Sequence, residues 1–136
     1  MSGAESKNGA DGLEHAPLVV LVVEDEVLVR MLACDILLEG GYHPIEAVNA
    51  EEALVLIGAR PDIRVIFTDV DMPGEINGLG LARLVALQSP DLPLIVTTGA
   101  GQVALGDIPP GARFLAKPYS PSILLKMVAD LSEPPA

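Results

Sequence analysis

A chain of 136 residues has the length of one ordinary domain, and because half of it is hydrophobic it can fill a core. Asp and Glu number 19 against 8 Lys and Arg, a formal charge of −11, and phosphate recognition needs clustered basic groups, so DNA, RNA and anionic lipid are disfavoured as direct partners. Aromatics make up 3% and Trp is absent, so the core must be built from Leu, Val, Ile and Ala. Cys34 is the only cysteine; an internal disulfide is impossible, and its apolar helical setting reads as a packed core thiol. The first residues carry no apolar signal region, and no apolar run approaches the roughly 20 residues that span a bilayer. A soluble, cytoplasmic protein is expected.

Residues 1–16 are small, polar and Gly-rich, and read as a disordered lead-in. The folded domain is expected over 17–133, with a tail over 134–136. Leu18 to Val23 is an unbroken apolar run, which suits a strand buried on both faces. After Glu24-Asp25-Glu26, the residues Leu28, Met31, Leu32 and Ile36 recur at helical spacing until Gly40-Gly41 stops them. Tyr42 to Ala47 is a short second strand. Asn49, with Glu52 three residues on, predicts an N-cap for a helix that buries Leu54 and Ile57.

Pro61 and Asp62 turn the chain into Val65-Ile66-Phe67-Thr68, a third strand that stops at Asp69. A loop with Pro73, Gly74 and Asn77-Gly78 then leads to a helix with Leu81, Leu84 and Val85. Leu94 to Thr97 is the fourth strand and Arg113 to Ala116 the fifth. Between Gly99 and Ala112 the Gly and Pro content predicts a fourth crossover helix that is short or distorted. Ser120-Pro121 forms an N-cap and N1 pair for a last helix with Ile123, Leu124, Met127, Val128 and Leu131.

Short strands alternating with helices predict an α/β fold, a doubly wound five-stranded parallel sheet covered on both faces. In such sheets ligands bind beyond the C-terminal ends of the strands, where the strand order reverses. The first strand ends in Glu24-Asp25, the third in Asp69, the fourth in Thr97-Thr98 and the fifth leads into Lys117. If the strand order is 2-1-3-4-5, three carboxylates converge on one crevice and a hydroxyl and an ammonium approach from the other side. Converging carboxylates call for protonation or a cation. An all-oxygen set suits Mg²⁺. Zinc is excluded by the single Cys and by two His, His15 and His43, that lie far from the acidic cluster. A carboxylate can act as a nucleophile and form an aspartyl phosphate.

Each feature also has an ordinary reading alone: acids after a strand cap the next helix, Asp before a Pro-Gly loop makes a turn, Thr ends a strand, Lys is solvated and Phe packs. Their joint arrangement resembles the receiver domain of bacterial two-component response regulators. The resemblance rests on Val22-Val23-Glu24-Asp25-Glu26, Phe67-Thr68-Asp69-Val70-Asp71-Met72-Pro73-Gly74, Leu94-Ile95-Val96-Thr97-Thr98-Gly99 and Lys117-Pro118, in family order from about Pro17 to Glu133.

The resemblance implies a flavodoxin-like, CheY-like fold and a phosphorylation switch that is not an enzyme in the turnover sense. Asp69 would accept the phosphoryl group. Asp25 would bind Mg²⁺ directly, Glu24 through water, and Asp71 by its backbone carbonyl. Lys117 would contact a phosphoryl oxygen, its bond to Pro118 being typically cis in the family. Thr98, which directly precedes the small Gly99, would sense the phosphoryl group, and Phe114 takes the place of the aromatic that rotates inward on activation. The expected partners are a histidine kinase or phosphotransfer protein and a downstream effector protein, the chain working as a stand-alone domain.

Two departures from the family pattern stand out. The stretch from Thr98 to Lys117 is shorter than is common, which weakens the usual dimerisation surface, so a monomer or weak dimer is expected. Asp71 places a further negative charge two residues past the acceptor and is expected to alter phosphoryl lifetime. An alternative reading takes Asp69-Val70-Asp71 as the Asp-x-Asp of a haloacid-dehalogenase-type phosphatase, although Glu24-Asp25 then precedes it in the wrong order. Another is an unphosphorylated interaction module of the same fold.

Overall fold

The structure, a computed structural model, describes residues 16–72, 76–99 and 108–132. Five strands and four helices alternate among them: β1 Val19–Val23, α1 Val27–Glu39, β2 His43–Ala47, α2 Ala50–Ala59, β3 Ile63–Asp69, α3 Gly78–Gln88, β4 Leu94–Thr98, β5 Arg113–Ala116 and α4 Pro121–Ser132. The strands form one parallel sheet in the order β2-β1-β3-β4-β5, the expected arrangement. The expected lead-in and the expected distorted helix lie largely outside the described residues, as do Pro73, Gly74 and the C-terminal tail.

The unbroken apolar strands are buried on both sides because each face of the sheet carries its own helix layer. Leu21, Val23, Ile66 and Val96 point to one layer, where Ala50 and Ala53 of α2 and Leu81 and Val85 of α3 cover them. Val20, Val22, Val65, Phe67, Ile95 and Leu115 point to the other, against Ala33, Cys34 and Leu37 of α1 and Leu124, Met127 and Val128 of α4. Burying a Leu, Ile or Val side chain of this kind contributes about 1.5–3 kcal/mol.

Local signals set the helix ends. The Asn49 side chain accepts from the Glu52 backbone N–H at 2.8 Å, while Glu52 Oε1 accepts from the Val48 N–H at 2.9 Å. Asn77 caps α3 by accepting from the Gly80 N–H at 2.9 Å, and Ser120 Oγ accepts from the Ile123 N–H at 3.3 Å. Each cap satisfies one of the orphan donors of a first turn.

Helix α1 differs from the simplest reading of its apolar stripe. Ile36 is buried, but Leu28, Met31 and Leu32 are exposed, at 80%, 51% and 61%. Small residues, Ala33 and Cys34, together with Leu37, make the inward face instead. The sheet admits the helix closely at the small residues, which rotates the larger ones outward. In α2, likewise, Ala50 and Ala53 are fully buried while Leu54 and Ile57 are only half-buried.

Candidate functional site

Strand register dictates which side chains meet at the C-terminal edge of the sheet. Val23 of β1 pairs with Thr68 of β3, and Asp69 pairs with Thr97 of β4. Side chains alternate along a strand, so Glu24, which follows Val22, and Asp69, which follows Phe67, share the face covered by α1 and α4. Thr97 follows Ile95 onto that face, and Lys117 follows Leu115. The four residues line one small pocket with Phe67 and Tyr119.

The carboxylate oxygens of Glu24, Asp25 and Asp69 offer ligand atoms all within 4.8 Å of one another. Glu24 and Asp69 are each only 4% exposed. Lys117 Nζ donates to Asp69 Oδ2 at 3.1 Å and reaches Glu24 Oε1 at 3.5 Å. Burial works against the Lys117 charge, yet the Asp69 hydrogen bond and charge, with those of Glu24, outweigh it and raise its pKa. Burial also pushes Glu24 up to about 7; the neighbouring Asp69 charge adds to this, while the Glu26 backbone N–H and Lys117 oppose it. A carboxyl poised near neutrality beside two more acids and one ammonium lacks positive charge. The all-oxygen donor set, the close approach of its atoms and this shortage fit a small hard dication such as Mg²⁺.

Backbone and side-chain bonds hold the rim. Glu24 Oε2 accepts from the Glu26 N–H at 3.1 Å, and Asp69 Oδ1 accepts from the Asp71 N–H at 2.9 Å. Lys117 N donates to the Thr98 carbonyl at 3.0 Å, and the Lys117–Pro118 peptide is cis. Helix α3 starts against the acceptor: a Cβ on Gly78 would collide with the Asp69 carbonyl oxygen and Val70 Cα, so only glycine permits that approach.

This geometry coincides with a match over most of the chain: the model of the response regulator receiver domain family aligns with residues 20–129. The chain belongs to that family. Among relatives, it is 37% identical over 113 residues to the response regulator protein FleR of Pseudomonas aeruginosa, covering 81% of this chain and 24% of FleR. It is 30% identical over 118 residues to the chemotaxis protein CheY homolog of Campylobacter jejuni, covering 82% of this chain and 90% of that protein. The first curated relatives, NtrX-like and FleR proteins, are long chains, and this receiver spans about a quarter of their length. The crystal structure of the NtrX receiver domain from Brucella abortus superposes with a TM-score of 0.73 at 35% identity, over 82% of this chain and 94% of that one.

The receiver brings together Glu24, Asp25, Asp69 and Lys117 as the sequence predicts. The Thr98 hydroxyl donates to Asp71 Oδ2 at 2.5 Å, across from β4 to the loop after β3. Phe114 is half-buried against the other core layer, away from the face that holds Asp69. His43 is exposed at the start of β2, and His15 lies outside the described residues. Cys34 is buried, and burial pushes its thiol up to about 11, with Glu46 and Asp35 adding to the shift, as a packed thiol requires.

Two contributors, Arg30 and Tyr119, escaped the sequence reading, and a third, Thr97, was placed at the end of the fourth strand but passed over in favour of Thr98. The Arg30 guanidinium, one turn into α1, donates to the Glu24 carbonyl and to Glu46 Oε1, each at 2.8 Å. Tyr119 stands edge-on to Phe67, with ring centroids 5.7 Å apart at 79°, and lines the pocket. Thr97, buried with its hydroxyl on the Asp69 face, finds no hydrogen-bond partner among the described residues. Strict strand alternation could have placed Thr97 on the Asp69 face; nothing in the sequence singled out Arg30 from other helix-surface arginines.

Proposed function

We propose that this receiver accepts a phosphoryl group on Asp69 from a histidine kinase or a phosphotransfer protein, and that the new charge switches a surface that binds an effector protein. The observation that carries this reading is Lys117 Nζ at 3.1 Å from Asp69 Oδ2, inside a three-carboxylate cluster at the strand ends. An Asp69 carboxylate oxygen attacks the phosphorus of the phosphohistidine, the P–N bond breaks, and the departing imidazole takes a proton. The product is an acyl phosphate. In the return step water attacks the phosphorus, releasing inorganic phosphate and restoring the carboxylate.

Burial strips Asp69 of solvent, and Lys117 meets the charge that gathers on the transferred group. Thr98 turns to the phosphoryl oxygens afterwards, and Phe114 follows it inward from its half-buried position. Glu24, Asp25, Asp69 and the Asp71 carbonyl would hold Mg²⁺, Glu24 through water. When bound, the ion supplies the positive charge that phosphoryl transfer needs. The chain thus assists its own phosphorylation and dephosphorylation without turning over a separate substrate. We place this activity in the cytoplasm, on the reading of the chain as a partner of histidine kinases.

Incubation with acetyl phosphate and Mg²⁺ is expected to add one phosphoryl group per chain, observed by intact-mass measurement. Asp69→Asn is expected to abolish the addition. Undiminished labelling of Asp69→Asn would overturn the assignment.

A further inference from the structure

Asp71 does more in this structure than lend a backbone carbonyl. Its N–H is fixed to Asp69 Oδ1 at 2.9 Å, and its carboxylate, although the residue is exposed, receives the hydroxyl of Thr98, which is only 2% exposed. One side chain at the solvent edge therefore ties the end of β4 to the loop leaving β3. We propose that Asp71 is a positioning residue, a latch that holds the Thr98 hydroxyl before phosphorylation and from which a phosphoryl group on Asp69 must take it. This rests on the reading of Asp69 as the phosphoacceptor.

A hydroxyl has a single proton and donates it to one acceptor at a time. Phosphoryl oxygens on Asp69 offer a rival acceptor with more negative charge, and hydrogen bonds to ionised acceptors are the strong ones. Phosphorylation must then break one charge-assisted bond to form another, so only the difference biases the switch. Asp71 opposes the activated arrangement in two separable ways. It retains the Thr98 hydroxyl, and its charge repels the phosphoryl group through space. Only the first effect runs through Thr98, and a double-mutant cycle isolates it.

Beryllofluoride with Mg²⁺, a mimic of the phosphoryl group on a carboxylate, is titrated into the full chain and into Asp71→Ala, Thr98→Val and the double variant. Asp71→Ala is expected to tighten binding on the order of ten-fold when Thr98 is present. In the Thr98→Val background the same change is expected to be worth about two-fold or less, and Thr98→Ser is expected to restore the larger effect. In the ligand-free protein, Asp71→Ala is also expected to shift the Thr98 methyl resonance. Equal tightening in both backgrounds, weaker binding of Asp71→Ala, or an unmoved Thr98 resonance would each overturn the latch. Failure of the unsubstituted chain to bind beryllofluoride would instead overturn the phosphoacceptor reading on which the latch depends.

Discussion

Arg30 shows how one residue outside the acidic cluster shapes it. Its side chain is 12% exposed, and it spends two donors on the Glu24 carbonyl and the Glu46 carboxylate. The first bond fixes the backbone at the point where β1 gives way to Glu24 and Asp25; the second anchors the guanidinium to the edge strand β2. Groups that orient metal ligands commonly matter on the order of ten-fold in metal affinity. Arg30→Met keeps most of the side-chain volume and removes both bonds. It is expected to weaken Mg²⁺ binding roughly ten-fold and to cost about 1–2 kcal/mol of stability. Calorimetric titration with Mg²⁺ and urea unfolding measure the two effects. Unchanged Mg²⁺ affinity in a folded Arg30→Met protein would remove Arg30 from any role in the site.

At the scale of elements, α1 has two working faces. Ala33, Cys34 and Leu37 bind it to the sheet, while Val27, Leu28, Met31 and Leu32 remain open to solvent. A shallow apolar groove runs from Val29, Leu32 and Ile36 to Lys117, Pro118 and Tyr119, so the exposed stripe is continuous with the pocket that holds Asp69. On the proposed reading, a protein that delivers a phosphoryl group to Asp69 would meet this surface beside the site, and desolvating the apolar residues would favour its docking. Leu28→Glu is therefore expected to slow phosphotransfer from a cognate phosphohistidine donor at least several-fold. Labelling by acetyl phosphate, which needs no docking, is expected to stay unchanged. Equal transfer rates for Leu28→Glu and the unsubstituted chain would exclude this face.

The same helix marks where sequence reasoning reaches its limit. Apolar runs, caps and Gly stops carry local information, so the strands and the Asn49 and Ser120 caps were legible and their alternation with helices implied a parallel sheet, while the order 2-1-3-4-5 goes with the resemblance to the receiver family. The site followed from them, because strand ends in a known order leave few places for Glu24, Asp69 and Lys117 to go. Which apolar stripe of α1 faces inward depends on how closely Ala33 lets the helix approach the sheet, a property of two surfaces at once. The Asp71–Thr98 bond was equally hidden: it joins residues 27 positions apart. Gly78, read from the sequence as part of the loop leading into the helix, proved to be the point where α3 touches the Asp69 backbone.

For the molecule as a whole, gathering charge at one edge of the sheet couples the site to global stability. Glu24 titrates near 7 in the folded protein, above the ordinary 4.5 of an exposed glutamate. Between those values the folded state holds a proton that the unfolded chain has released. The contribution of Glu24 to stability then falls as pH rises through that window. Above the folded value both states are ionised, and the full penalty persists. Lys117, with its pKa raised above 10.5, stays charged throughout and leaves the sign unaltered. A dication among Glu24, Asp25 and Asp69 would favour the ionised carboxyl, so saturating Mg²⁺ would both displace the proton and stabilise the fold. The rise in Tm on adding Mg²⁺ is accordingly expected to be small near pH 5.5 and several degrees larger at pH 8. Glu24→Gln, which cannot ionise, is expected to flatten the metal-free dependence between pH 5 and 7. Thermal melts across this range, with and without Mg²⁺, test both statements, and a metal-free stability that climbs with pH in the unsubstituted chain while Glu24→Gln behaves identically would show that burial of Glu24 is not what sets the balance of charge at this edge.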